Sequence, residues 1–190
     1  MQEIPVSADD FNPLRLDVLA FAQAGTELSG AWPLTGLERL AACAVAEAAP
    51  GPQELLDWQV RGEQRRGPPG APAEIWLHLK AAALLRLECQ RCLMPVETPL
   101  EIERSLRFVA GEDQAAALDA ESEDDVLALS HALDLRELIE EELLLALPLV
   151  ARHGACARPV AAGAAPEVDV EEPPHPFAAL AALRKPSQAH

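Results

Sequence analysis

Cys89 and Cys92 stand three positions apart in Cys89-Gln90-Arg91-Cys92, a spacing at which one tight turn can aim both sulfurs at a single point. Zinc favours four thiolate or imidazole ligands in a tetrahedron. His153 and Cys156 repeat the short separation further along the chain, and the four residues together would supply a Cys3His set. Three readings are open at this stage: structural zinc, thiols that simply hold a turn together, and thiol redox chemistry. Catalysis of the thioredoxin kind needs the motif where a strand runs into a helix, because the helix N-terminus lowers the pKa of the attacking thiol. Here Pro95 and a renewed two-residue alternation follow Cys92, which disfavours redox catalysis. Cys43, on the apolar side of an expected helix, is most simply a small core residue.

The remaining catalytic patterns are missing. The chain has no G-x-S-x-G elbow, no phosphate-cradling glycine loop and no H-E-x-x-H. Paired carboxylates abound, but an acidic chain produces many by chance. The expectation is a protein that is not an enzyme.

The cysteine turn must be carried by the stretch from Ile75 to Phe108. Ile75, Leu77, Leu79, Ala81, Ala83, Leu85 and Leu87 occupy alternate positions, and Val96, Leu100, Ile102, Leu106 and Phe108 repeat the alternation beyond the turn. This predicts an antiparallel hairpin with one buried face and two thiols at its tip. Leu56, Trp58 and Val60 predict a strand before it, giving a meander, and Thr26 to Trp32 a short strand interrupted by Gly30.

Asn12-Pro13 predicts a short helix through Phe21. Thr35-Gly36-Leu37-Glu38 has capping-box form, with Leu37, Leu40, Ala41, Ala44, Val45 and Ala48 at helical spacing up to Pro50. Asp134 caps a further helix with Leu135, Leu138, Ile139 and Ala146 along its buried stripe, and Pro148 stops it. Its Glu140-Glu141-Glu142 block reads as a solvated face. Residues 111–125 read as a mobile loop or weak helix.

At 190 residues and 49% hydrophobic content the chain can bury a real core. Its organisation is expected to be a single α+β domain over residues 1–157, an antiparallel meander sheet with packed helices, followed by a flexible Pro/Ala/acidic tail over 158–190. Phe177, Leu180 and Leu183 recur at helical spacing there, as a short terminal docking helix would. No apolar run approaches the roughly 20 residues that cross a bilayer, and the N-terminus lacks a basic-then-apolar leader, so no membrane association and a cytoplasmic location are expected. A net charge of −16 argues against the whole chain as a nonspecific nucleic-acid binder. Arg61, Arg65, Arg66, Lys80, Arg86, Arg91, Arg104 and Arg107 nevertheless concentrate on the meander, while acidic residues concentrate on 112–142 and the tail.

Three blocks taken in order resemble the bacterial YceD family, named for large ribosomal RNA subunit accumulation. They are Leu87 to Leu93 around the cysteine turn, the helix from Leu133-Asp134-Leu135 to Leu147-Pro148-Leu149-Val150 with His153 and Cys156 after it, and Pro176-Phe177-Ala178-Ala179-Leu180 near the end. The resemblance spans roughly residues 26–185. It implies a non-enzymatic role in the synthesis, processing or stability of large-subunit ribosomal RNA, hence in ribosome biogenesis. With the charge segregation, the expected partners are large-subunit RNA or its assembly intermediates, met through Arg86, Arg91, Arg104 and Arg107, and a basic ribosomal protein met by the acidic segments. The competing expectation is a zinc- or thiol-dependent redox protein using Cys89 and Cys92.

Overall fold

The computed structural model describes residues 10–67, 69–70 and 72–156. The expected tail helix with Phe177, Leu180 and Leu183 lies outside them.

Among the described residues, four α-helices and five strands follow one another: α1 (Val18–Ala24), β1 (Glu27–Pro33), α2 (Glu38–Ala41), β2 (Leu55–Arg65), β3 (Glu74–Glu88), β4 (Pro95–Val109), α3 (Glu112–Asp119), β5 (Asp125–Ala128) and α4 (Leu135–Leu145). The strands form a single sheet in chain order, β1-β2-β3-β4-β5. The first four pair antiparallel as the alternation predicts, with Leu77 opposite Leu106 and Leu87 opposite Val96 in the hairpin. The fifth corrects the expectation of a purely antiparallel sheet: Asp125–Ala128 lies parallel to Leu106–Val109, after the crossover through α3. The sheet is mixed, and the fold is α+β.

Neighbouring residues across strands share a face. The row containing Leu56, Val60, Leu77, Leu79, Leu85, Leu100 and Leu106 is buried against Val18 and Phe21 of α1, Leu40 of α2 and Leu135, Ile139 and Leu143 of α4. Helices therefore cover one face. On the other face Trp76, opposite Arg107, and Val126, beside Arg107, are buried outside this core, at the end where α3 buries Ala115. The Arg65 guanidinium stacks on Trp76 at 4.6 Å. Among the described residues nothing covers the middle of that face.

Three helical expectations are corrected. The first helix begins later than Asn12-Pro13 suggests, because Asp17 is its N-cap and accepts from the Ala20 amide at 3.0 Å. The stretch from Leu37 to Ala48 is not one helix. Leu34–Gly36 forms a 3-10 turn, and Thr35 makes no capping bond to α2. The helix stops after Ala41 because the Val45 amide is taken by the Arg86 carbonyl of β3 at 3.0 Å, which pulls the chain onto the sheet. Cys43 is exposed, not a core residue, and its thiol lies 3.4 Å from the Arg39 carbonyl. α4 starts where Asp134 predicts, with its carboxylate accepting from the Arg136 and Glu137 amides at 2.9 and 3.2 Å.

The solvated reading of the α4 acidic block holds for Glu141, which is exposed, and is corrected for Glu140. Glu140 is buried at 9% exposure. Its carboxylate accepts from the Arg39 and Leu40 amides at 2.8 and 3.1 Å and from the Arg39 guanidinium at 3.0 Å. It is thus the cap that α2 lacks locally, supplied from about a hundred residues away. Glu142 holds Arg104 at 2.7 Å.

Gly30 and Gly62 have sequence reasons. A Cβ at Gly30 would meet Trp58 Cζ2 at 2.9 Å, so the glycine lets the Trp58 indole fold across β1, where it stacks on Trp32 at 4.5 Å. A Cβ at Gly62 would meet the Phe21 carbonyl at 2.7 Å, so glycine sets how closely α1 packs on β2.

Candidate metal centre

The hairpin ends at Glu88 and restarts at Pro95, leaving six residues to turn. The Cys89 amide donates to the Met94 carbonyl at 3.0 Å and the Leu93 amide to the Cys89 carbonyl at 2.8 Å, closing the turn on itself. Leu93 takes the left-handed conformation this requires, at φ 59°. A third bond, Gln90 amide to Ala151 carbonyl at 2.9 Å, straps the turn to the chain leaving α4. α4 is itself fixed by Leu135, Ile139 and Leu143 in the core, so the loop that follows Pro148 is delivered to the hairpin tip.

That strap brings both short-spaced pairs together. One donor atom each from Cys89, Cys92, His153 and Cys156 lies within 4.8 Å of every other. Cys89 Sγ is 3.8 Å from Cys156 Sγ, and Cys92 Sγ is 3.4 Å from His153 Nδ1. A tetrahedron with Zn–S near 2.3 Å and Zn–N near 2.0–2.1 Å has edges of about 3.8 Å between sulfurs and about 3.5 Å between sulfur and nitrogen. The donor set, its number and its spacing fit zinc.

The histidine is oriented for this. His153 Nε2 lies 3.1 Å from the Pro95 carbonyl, which can only accept, so Nε2 carries the proton and Nδ1 presents its lone pair to the sulfurs. Cys89 is fully buried; the other three are half-buried. Burial pushes the Cys89 thiol up, but the backbone amides of His153, Arg91 and Cys92 and the His153 ring outweigh it and hold the group well below the usual thiol range. Cys156 moves the other way, raised by burial and by the sulfurs of Cys89 and Cys92. Three sulfurs this close cannot all ionise without a cation between them. The redox reading gains nothing from this geometry. The turn leads into β4, so among the described residues no helix N-terminus follows the motif as thiol catalysis of the thioredoxin kind needs.

The four expected contact arginines are not on one surface. Arg86 and Arg107 lie on the sheet face opposite the core, where Arg86 pairs with Glu54 and Glu97 and Arg107 with Glu74 at 3.1 Å. Arg104 lies on the helix-covered side with Glu142. Arg91 is exposed at the hairpin tip, beside the cysteine cluster. Sequence reasoning missed the Pro95 carbonyl, since a backbone acceptor has no residue signature. It also missed Glu140, although a position three before Leu143 borders the apolar stripe.

Fold and cluster define a small α+β protein with a candidate four-ligand metal centre at the tip of a long β-hairpin. A family model described as Large ribosomal RNA subunit accumulation protein YceD matches residues 77–184. A protein of the same description from Haemophilus influenzae is 33% identical over 178 residues, covering 91% of this chain and 96% of that protein. The chain belongs to the YceD family, as the resemblance of its three sequence blocks implies. No solved structure matches it.

Proposed function

We propose that this protein is a non-enzymatic ribosome-biogenesis factor that supports the accumulation of large-subunit ribosomal RNA. Its kinship over nearly the whole chain with a protein described by that role carries the reading. It acts in the cytoplasm on assembly intermediates of the large subunit, through a basic ribosomal protein, the RNA, or both. Of the four arginines, Arg91 is the one with no carboxylate partner among the described residues and is the first choice for a phosphate contact. The Cys3His cluster holds one zinc ion in a structural role, locking the α4 loop to the hairpin; the 3.8 and 3.4 Å separations support this part.

Depletion of the protein should lower large-subunit RNA relative to small-subunit RNA, and the full chain should co-sediment with large-subunit precursors in a sucrose gradient. Normal RNA ratios together with absence from those fractions would overturn the proposal.

A further inference from the structure

The middle of the open sheet face carries an amphipathic surface. Along it, Ala82 and Leu84 of β3 form the centre line, with Leu84 at 46% exposure. Leu55, two positions before Asp57 on the same face of β2, is 47% exposed, and Pro99 sits opposite Leu84 on β4. Large aliphatic side chains at this exposure on a sheet face, next to one another, are unusual unless something covers them. Among the described residues no helix does: α1, α2 and α4 serve the opposite core, and α3 packs at the β5 end.

Charge then says what the cover is made of. Asp57 and Glu101 are the register neighbours of Ala82 on its two sides. They stand two interstrand spacings apart, about 10 Å. Both are exposed, and neither has a cationic or hydrogen-bonding partner among the described residues. They line a shallow hollow of about 920 Å³ together with Glu103 and Lys80, and that lysine is committed to Glu103 at 2.8 Å. The hollow therefore has a net negative wall around Ala82, and Leu84, with Leu55 and Pro99 on its two sides, continues the apolar line along β3 beyond it.

We infer that this face is a docking surface for an amphipathic, basic α-helix of a partner protein, laid along β3 with its apolar stripe on Ala82 and Leu84 and its Lys or Arg side chains reaching Asp57 and Glu101. An α-helix is about 10 Å wide with its side chains, which matches the separation of the two carboxylates, and helix on sheet is the standard way to cover an apolar sheet face. RNA is disfavoured because its phosphates would meet the unpaired carboxylates. A second copy of the chain is disfavoured because it would bring the same uncompensated acids. The inference deepens the ribosome-assembly reading and rests on it only for the source of the helix, a basic ribosomal protein.

The test uses the full chain and a labelled 15-residue synthetic peptide with leucines at positions i, i+3, i+4 and i+7 and lysines elsewhere, followed by fluorescence anisotropy. The helical peptide should bind at least tenfold more tightly than a scrambled peptide of the same composition. Asp57→Lys/Glu101→Lys and, separately, Leu84→Asp should each weaken it at least tenfold, while Glu112→Lys/Asp113→Lys on α3, with the same change in net charge, should not. These positions are exposed, so circular dichroism should stay that of the parent chain. Equal binding of the scrambled peptide, equal loss from the α3 reversal, or binding of a 15-nucleotide oligouridine that Asp57→Lys/Glu101→Lys does not strengthen but Leu84→Asp abolishes would overturn the docking surface. In cells, a benzoylphenylalanine photocrosslinker in place of Leu84 separates the two readings. Crosslinks to a non-ribosomal basic protein would keep the surface and remove the ribosomal source. Co-sedimentation with large-subunit precursors that Leu84→Asp and Asp57→Lys/Glu101→Lys leave intact, with no crosslink from position 84, would keep the assembly role and remove the surface.

Discussion

On the helix-covered face of β3, seven alternate residues from Ile75 to Leu87 are all apolar and all buried, whereas on the opposite face Ala82 and Leu84 are flanked by His78 and Lys80 on one side and Arg86 and Glu88 on the other. The two faces are held by different interactions. The covered face relies on burial, and the charged groups drawn into it find committed partners: Glu140 caps α2, and Arg104 meets Glu142, while the Trp58 indole nitrogen is buried there without a hydrogen-bond partner among the described residues. The open face relies on ion pairs that water can replace, such as Lys80 with Glu103 and Glu63 with Arg65 and His78. Losses on the first should be large and insensitive to salt, and on the second small and screened.

The sharpest way to break this contrast is at the end of the covered face, where Cys89 belongs both to the core and to the cluster. Protein purified without chelators should carry about one zinc per chain by mass spectrometry. Cys89→Ser should abolish it and lower Tm by about 10 °C, since binding energy at a structural site is folding energy. A variant that keeps Tm and a parent chain without metal would remove the zinc proposal.

Next comes Glu140. Glu140→Ala leaves two α2 amides and the Arg39 guanidinium without their acceptor and should cost about 2–3 kcal/mol by urea unfolding, little changed by 0.5 M salt. A loss as small as that of a surface pair would mean solvent replaces the remote cap. Gly62→Ala, on the covered face, should cost about 1–3 kcal/mol, because the new Cβ meets α1 backbone and not the end of a flexible side chain. An unchanged urea midpoint would show that α1 can step away from β2.

The smallest effect belongs to the open face. The Arg65 guanidinium, then the His78 ring, hold the Glu63 carboxyl below its ordinary 4.5, to about 2. A depressed folded-state pKa gives stability that is present above the ordinary value and is lost as pH falls from about 4.5 towards about 2. Glu63→Gln should therefore flatten the acid side of the stability curve in that window and leave the curve above pH 6 nearly unchanged. Acid unfolding of the variant that tracks the parent chain would show that the pair is already lost to solvent.

The hairpin, the strand before it and the α4 cap were legible because each is written in local periodicity or in one capping residue. The helix expected from Leu37 to Ala48 was misread because its apolar spacing is helical, yet the competing bond from Val45 to Arg86 comes from a strand far away in the chain. β5 was missed because Asp125–Ala128 has only four residues and lies next to an acidic run. Its strand character comes from the edge of β4, against which it pairs. The solvated reading of Glu140 failed for the same reason, since its partners belong to α2.

The sequence by itself determined the alternation that gives β3 and β4 one apolar face, the cap and stop of α4, the two short ligand spacings and the kinship to the YceD family. Tertiary structure alone decided that the two spacings converge. Gln90 and Ala151 must meet before Cys89, Cys92, His153 and Cys156 can share one centre, and that backbone bond joins segments some sixty residues apart. It also decided which acidic residues are free. Glu140 and Glu142 are consumed inside the fold, while Asp57 and Glu101 have no partner among the described residues on the open face. Local periodicity fixes which way a side chain points, but the partner it meets depends on what the rest of the chain brings to that face.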